Sequence, residues 1–339
     1  MITSFKLNMN GYTTRSRSEK PRPKNVVNPV LFEHLIDGGN GESNKTLITF
    51  TKHDFQQIET PRFLNDTVIS LFMQLHVENR VNEELKNKIH IFNSFFFNKI
   101  KSIRAKSGAE KSIPACTSRW LKGITLFDKD FLILPVCEKD HWILIVICYA
   151  YNKPSLRSYK IPDEKLYEPA VIVMNSFHNC APAVKKILGQ FLKFCWFHER
   201  GTQRKFAINS AKPNGIRLLF PQLPQQRNAY NCGVFILNYF YCFLKDPRGS
   251  YLKMFRKRPM TDWFKENHID ISAERRKMKT VIREQITRWE KSDLKTQLDK
   301  ERVACRSVTP DTSKSKEATT IDIMDEDDPD SGNHIIVIN

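Results

Sequence analysis

The stretch from Pro224 to Leu244 constrains the fold most strongly. Polar and turn-forming residues run up to Cys232 and Gly233, and an almost unbroken apolar run from Val234 to Leu244 follows at once. This pattern predicts a buried helix with Cys232 in its first turn. The unpaired N–H groups and the positive end of a helix favour a thiolate, so we expect a lowered pKa for Cys232 and a nucleophilic sulfur.

Two neighbours of Cys232 fit a nucleophilic site. Gln226 carries an amide six residues before the cysteine, where it can donate a hydrogen bond to an oxyanion beside the sulfur. Gly233 is expected to let the backbone pass close to a substrate. The alternative is that Cys232 is one more small buried residue, because free cysteines are among the most buried residue types.

A histidine upstream can serve as the partner base. Residues 131–137 and 141–149 are predicted strands separated by a short polar turn, so His141 opens a buried strand directly after a hairpin. A third apolar strand, 170–174, ends at Asn175. The Asn175 amide oxygen can accept a hydrogen bond from the His141 Nδ1 atom and orient the ring.

Four segments resemble the Ulp/SENP proteases, which cleave SUMO precursors and SUMO conjugates. They are the Pro-Gln-Gln-x-Asn-x-x-Asn-Cys-Gly string ending at Gly233, the pair His141-Trp142, the Phe-Leu-Asn-Asp-x-x-Ile element of 63–69, and the Phe-rich segment 90–97. The resemblance covers roughly 45–292 and is greatest to the branch that edits poly-SUMO chains. It implies an α+β, papain-like (Ulp-type) fold with a central mixed sheet flanked by helices and the nucleophile at a helix N-terminus.

The resemblance also implies the catalytic roles. Cys232 attacks the carbonyl after the SUMO Gly-Gly, His141 moves the proton, and Gln226 stabilises the oxyanion. Most members of the family carry Asp where this chain has Asn175 and Asn231. Papain-like enzymes work natively with Cys-His-Asn, so we expect an active cysteine-type peptidase; the alternative is a catalytically weak or inactive SUMO-binding scaffold of the same fold.

Substrate-binding residues follow from the same resemblance. Aromatic residues at the positions of Phe63 and Trp142 clamp the diglycine in a narrow tunnel in the family, and the acid at Asp66 meets a SUMO arginine. The β-branched C-terminal residues resemble a SUMO-interacting motif that adds a strand to a partner's sheet, the alternative being a stray hydrophobic end. These are Ile335, Ile336, Val337 and Ile338. The expected partners are SUMO and SUMO-conjugated proteins, and no cofactor or metal is expected.

The chain divides into three parts by composition. Residues 1–44 are a basic, linker-like arm, in which 15–24 is either a nuclear signal, a nucleic-acid contact or a solvated tail. Residues 45–292 are the predicted protease domain, with a basic insertion at about 99–122. Residues 293–339 form a disordered acidic tail that carries the motif at its end.

Charge and cysteine content limit the function classes. The net charge of +17 suits an acidic ubiquitin-like substrate and incidental nucleic-acid contact. A nucleic-acid-binding protein would explain that charge but not the Gln226, Cys232 and His141 pattern. The cysteines show no metal-like or disulfide-like spacing and no secretory signal is visible, so we expect a reducing compartment, with the nucleus first and the cytoplasm second. We expect no membrane span and a monomer.

The remaining elements are predicted from periodicity. Helices are expected over 66–75, 82–88, 183–192 and 272–295, and short strands over 46–50 and 216–220. The last helix is highly charged, and its basic residues, Arg275 among them, are expected on a solvated face.

Overall fold

The computed structural model describes residues 28–37, 45–105, 124–150, 168–177, 184–201, 216–264, 268–292 and 295–296. The strands in these ranges are β1 (Val30–Asp37), β2 (Lys45–Thr51), β3 (Ile89–Ile91), β4 (Phe131–Glu138), β5 (His141–Cys148), β6 (Ala170–Met174) and β7 (Arg217–Leu219). The α-helices are α1 (Lys52–Gln57), α2 (Asp66–Arg80), α3 (Glu83–Lys88), α4 (Phe95–Ala105), α5 (Val184–Arg200), α6 (Cys232–Lys245), α7 (Pro247–Phe255) and α8 (Ile271–Glu290). A short 3₁₀ helix, Leu126–Asp128, precedes β4.

The central sheet has five strands in the order β3-β4-β5-β6-β7. Strands β4, β5 and β6 are antiparallel neighbours, whereas β3 runs parallel to β4 and β7 runs parallel to β6. A separate antiparallel pair, β1 and β2, precedes α1. The mixed sheet flanked by helices that the sequence predicted is therefore confirmed.

Helices cover both faces of this sheet, which explains why its strands are apolar almost without interruption. Along β5, Leu144 and Val146 pack in a core shared with α2, α6 and α8. Ile143 and Ile145 point to the opposite core, shared with α4 and α5. Helix α6 is apolar around most of its surface because it lies inside the first of these cores.

The boundaries of some elements differ from the predicted ones. Residues 30–37, placed in the basic arm from the sequence, form β1 and pair with β2, so the folded part begins earlier than residue 45. Residues 99–105 of the predicted insertion are the last turns of α4, and 106–122 lie outside the described residues. Helix α5 extends to Arg200, beyond its predicted end at 192. No helix in the described ranges is long and apolar enough to span a membrane.

Candidate active site

A tight hairpin places His141 at the start of β5. Glu138 and His141 pair across the turn, and the two residues between them have positive φ values, 51° for Lys139 and 59° for Asp140. Two left-handed residues are the geometry of a type I′ turn, which matches the twist of the flanking strands. Neither is glycine, so the turn carries backbone strain directly before the predicted base, where such strain is common in functional sites.

Asn175 holds the ring of His141. Its Oδ1 atom lies 2.7 Å from His141 Nε2 and also accepts the backbone N–H of Phe177 at 2.9 Å. The second contact identifies this atom as the oxygen, so Nε2 donates and the Nδ1 atom is the basic nitrogen. The predicted pairing of Asn175 with His141 is therefore found, but through Nε2 rather than Nδ1. The Nδ1 atom is buried, with no hydrogen-bond partner in the described part of the chain.

Phe177 is a site residue that the sequence analysis missed. Its ring lies 4.9 Å from the His141 ring, at an interplanar angle of 33°, and 39% of the residue is exposed. Strands β5 and β6 pair Leu144 with Met174, and continuing that register places Phe177 opposite His141. The available signal was thus the antiparallel register itself, together with an aromatic residue two positions beyond the strand end.

Cys232 is fully buried in the first turn of α6, as predicted. The direction of its pKa shift is opposite to the prediction: burial raises the pKa of the thiol, outweighing hydrogen bonds from the backbone N–H groups of Trp142, Gly233 and Cys232 itself and the charge of Arg275. The N–H of Trp142 brings the start of β5, and hence His141, to the sulfur. The same burial raises the pKa of nearby Cys137 to about 12, with the charge of Asp66 contributing.

Gln226 is held rigidly next to the end of β6. Its backbone N–H donates to Ser176 O at 3.0 Å, and its side-chain Oε1 accepts from Ser176 Oγ at 2.5 Å. The side-chain Nε2 donates to Asn228 O at 2.5 Å, which leaves the second amide hydrogen for an oxyanion. Ser176, fully buried, was not predicted as a site residue, yet it fixes which end of the Gln226 amide faces inward.

The loop between Gln226 and Cys232 is shaped by its own asparagines. Asn228 Oδ1 accepts from the N–H groups of Tyr230 and Asn231, at 3.2 and 3.1 Å, which closes a turn just before α6. Asn231 is buried, and its Oδ1 accepts from Arg275 Nη2 at 3.0 Å. The prediction that Arg275 lies on a solvated face is therefore wrong: the residue is only 3% exposed.

Gly233 has a packing role in this structure. A Cβ atom built on it would lie 2.8 Å from Leu64 Cβ, closer than such atoms approach. The absence of a side chain at 233 therefore lets Leu64 pack against the start of α6. The expectation that Gly233 makes room for substrate is replaced by this contact with the chain itself.

Of the two aromatic residues predicted to clamp the substrate, only Phe63 is exposed. Phe63 is 41% exposed, whereas Trp142 is 2% exposed and donates its Nε1–H to Leu64 O at 2.8 Å. Trp142 thus anchors the segment that presents Phe63. Asp66 is partly buried in the first turn of α2, close enough to influence Cys137. The tail residues 335–338 lie outside the described residues.

A cysteine at a helix N-terminus, contacted by the strand that begins with a histidine oriented by an amide, is the arrangement of a papain-like cysteine protease domain. Within the described ranges no group of three or more His, Cys, Asp or Glu residues is arranged to hold a metal ion. Residues 62–286, more than half of the chain, match the Ulp1 protease family, C-terminal catalytic domain. The chain belongs to this family.

Comparison with known proteins shows the same class. The chain is 29% identical over 221 residues to probable ubiquitin-like-specific protease 2B of Arabidopsis thaliana, covering 64% of this chain and 23% of that protein. It is 24% identical over 250 residues to sentrin-specific protease 7 of Rattus norvegicus, covering 58% and 24% respectively. A crystal structure described as the de-sumoylating protease has the same fold, with a TM-score of 0.57, 16% identity, and 81% and 97% coverage. The chain thus spans about a quarter of the length of these curated relatives.

Proposed function

We propose that this chain is a cysteine-type isopeptidase that hydrolyses the bond after the C-terminal Gly-Gly of SUMO, and that it trims poly-SUMO chains. The observation that carries the proposal is the Trp142 N–H at the Cys232 sulfur, next to a histidine whose Nε2 is held by Asn175. Relatives named as ubiquitin-like-specific and sentrin-specific proteases support a ubiquitin-like substrate.

The first chemical step forms a thioester through a tetrahedral intermediate. Burial raises the pKa of the Cys232 thiol and so favours the protonated sulfur as the starting point of the step. His141 Nδ1 takes that proton as the sulfur attacks the carbonyl carbon, and the C=O electron pair moves onto the oxygen. The oxyanion then accepts the remaining Gln226 amide hydrogen and the Cys232 N–H.

Collapse of this intermediate releases the substrate lysine. The protonated His141 gives its Nδ1 proton to the departing amine as the C–N bond breaks, which leaves a thioester on Cys232. Water then attacks the thioester while His141 takes its proton, and the sulfur leaves with that proton. Asn175 keeps the ring in the required tautomer throughout but supplies no negative charge.

Substrate selection is assigned to surfaces on two sides of the site. Phe63 presents an exposed ring next to Leu64, whose carbonyl is fixed by Trp142, and this ring is proposed to cover the diglycine. Asp66 is proposed to meet a basic SUMO residue. The motif 335–338 is proposed to bind a second SUMO unit of a chain, which would raise the affinity for chains through effective concentration.

A covalent SUMO probe tests the activity. The purified chain is incubated with SUMO that carries an electrophile in place of its terminal carboxylate, and the adduct is located by mass spectrometry. Cys232→Ala should abolish the adduct, while Cys242→Ala, which removes another buried thiol of the same helix, should keep it. Labelling of the Cys232→Ala protein at an equal level would contradict the assignment. Binding of SUMO without an adduct or turnover would favour the scaffold alternative.

Chain preference needs a separate comparison of poly-SUMO with a single-SUMO reporter. Replacing Ile336 and Val337 by Ala should weaken chain binding and chain cleavage while leaving hydrolysis of the single-SUMO reporter nearly unchanged. Equal losses with both substrates would show that the tail acts on folding instead.

Location and other partners are proposed from charge. The segment 15–24 is proposed to be a nuclear signal. The excess of basic residues is proposed to cause incidental nucleic-acid contact. The chain is proposed to act as a monomer. Nuclear accumulation of a fluorescent fusion should be lost when the basic residues of 15–24 become Gln. Nucleic-acid binding should fall steeply between 50 and 200 mM salt, as counterion release requires.

A further inference from the structure

Arg275 differs from the other basic residues of its helix. It is 3% exposed, whereas the adjacent Arg276 and Lys277 are exposed. Arginine is rarely buried unless its donors are satisfied, so a buried guanidinium indicates a specific arrangement of acceptors.

The guanidinium joins two segments that both belong to the site. Its Nη1 donates to Ile58 O at 2.8 Å and also contacts the carbonyl oxygens of Gln57 and Glu59, at 3.2 and 3.1 Å. Its Nη2 donates to Arg62 O at 2.8 Å and to Asn231 Oδ1 at 3.0 Å. One side chain of α8 thus connects the loop directly before Phe63 to the residue directly before Cys232.

The charge of this guanidinium is not neutralised by an ion pair. No carboxylate in the described ranges lies within 4 Å of it, and its partners are carbonyl and amide oxygens. A buried cation held only by neutral acceptors acts on its neighbours with little screening. Burial lowers the pKa of Arg275, and the nearby Tyr230 and Cys232 oppose that shift.

Other ionisable groups around the sulfur come from three elements. His141 begins β5 and Cys137 lies near the end of β4, while Asp66, at the start of α2, acts on Cys137. Among the charged side chains that the structure describes, Arg275 is the one whose positive charge opposes the rise in the Cys232 pKa. Because Asn175 and Asn231 are neutral amides, neither supplies a charge to the nucleophile.

We propose that Arg275 is a positioning residue for the reaction: it fixes the loop that presents Phe63 relative to the start of α6, and its buried charge stabilises the Cys232 thiolate. The proposal rests on the proposed function for its catalytic meaning. Its electrostatic part, the stabilisation of the Cys232 thiolate by the Arg275 charge, does not depend on which substrate the chain takes.

The electrostatic part is tested by alkylating the full chain with iodoacetamide over a range of pH, with the rate at Cys232 followed by site-resolved mass spectrometry. Arg275→Gln should slow alkylation at pH 7 by about tenfold, because losing a nearby opposite charge raises a thiol pKa by about one unit. Arg275→Lys should restore most of that rate. Arg276→Gln removes an exposed charge one residue away and should match the wild type.

The positioning part is tested with the SUMO reporter. Arg275→Lys keeps the charge but lacks the planar fork that reaches both segments, so its kcat/KM should stay roughly tenfold or more below the wild type although its alkylation is restored. Equal kcat/KM for Arg275→Lys and wild type would overturn this part. An unchanged alkylation profile in folded Arg275→Gln would overturn the electrostatic part.

A second variant covers the case in which Arg275→Gln does not fold. Asn231→Asp places a carboxylate next to the Arg275 guanidinium and leaves the packing of Arg275 in place. The negative charge offsets the positive charge that acts on Cys232, so alkylation at pH 7 should slow several-fold. An unchanged rate would contradict the proposal. Alkylation uses no SUMO, so a wild-type chain that fails to react with the SUMO probe would overturn the proposed function and leave this result standing.

Discussion

Replacing Gly233 by Ala should destabilise the protein only while Leu64 is present. The added Cβ would lie 2.8 Å from Leu64 Cβ, 3.1 Å from Cγ and 3.2 Å from Cδ1. The first of these atoms is attached directly to the backbone of the Phe63–Asp66 segment, so a rotamer change cannot relieve the contact. Either that segment or the start of α6 must move.

The expected magnitude is the difference between two terms. Overpacking a well-filled core costs roughly 1–3 kcal/mol. Replacing glycine by alanine in a helix gains up to about 1 kcal/mol, so Gly233→Ala should cost about 1–2 kcal/mol net. Leu64→Gly removes all three contacting atoms, including Cβ, at a cost of roughly 2–5 kcal/mol for the cavity and more for the backbone freedom of glycine. In that background the clash is gone, and Gly233→Ala should be neutral or stabilising.

A double-mutant cycle measures this sign change. The unfolding free energies of the wild type, both single variants and the double variant are obtained from urea titrations, and reaction with the SUMO probe is followed in parallel. Gly233→Ala should slow the probe by roughly ten- to a hundredfold, since a shift of about 1 Å in a nucleophile is costly. The same destabilisation by Gly233→Ala in both backgrounds would refute the proposed contact.

Three further outcomes are expected. Asn175→Asp should raise activity, because a carboxylate stabilises the imidazolium that forms when His141 takes the Cys232 proton; activity lost with the fold intact would mean that the site depends on the amide. Phe177→Ala should lower kcat about tenfold with little change in stability, while Phe197→Ala, at another exposed ring, should leave kcat unchanged. Burial and the charge of Lys129 lower the pKa of His90 from 6.5 to about 4. The ring therefore stays neutral in the folded protein while the unfolded chain takes up a proton, and roughly 3 kcal/mol of stability should be lost as the pH falls from 6.5 to 4. His90→Phe should flatten that loss in urea titrations, and an equal loss in the variant would contradict this cause.

The local parts of the fold could be predicted because their signals are contiguous. The apolar strands and the polar turn between 138 and 141 fix the hairpin that carries His141, and the switch from polar to apolar residues at Cys232 fixes the start of α6. Asn175 followed from its place at a strand end. Each of these depends on neighbours within about ten residues, which the sequence shows directly.

The remaining features depend on contacts between distant segments. Nothing near Arg275 distinguishes it from Arg276, since both belong to a charged run, and only the packing of α8 shows which one turns inward. The Cys232 pKa shifts upward because burial by the surrounding core outweighs the helix terminus. Strand β1 was not predicted because residues 1–44 as a whole have a linker-like composition. Its pairing with β2 is a contact between two segments that a polar connection separates in the sequence.

The contacts of Arg275 can form only late in synthesis, because this residue follows all of its partners in the chain. Its acceptor Gln57 O lies 218 residues earlier in the chain, and Asn231 lies 44 residues earlier. Chains that end between residues 232 and 274 therefore contain Cys232, His141 and Gln226 but lack the side chain that contacts both the loop before Phe63 and Asn231. A ribosome-bound or C-terminally truncated product ending at residue 270 would therefore contain Cys232, His141 and Gln226 without that connection.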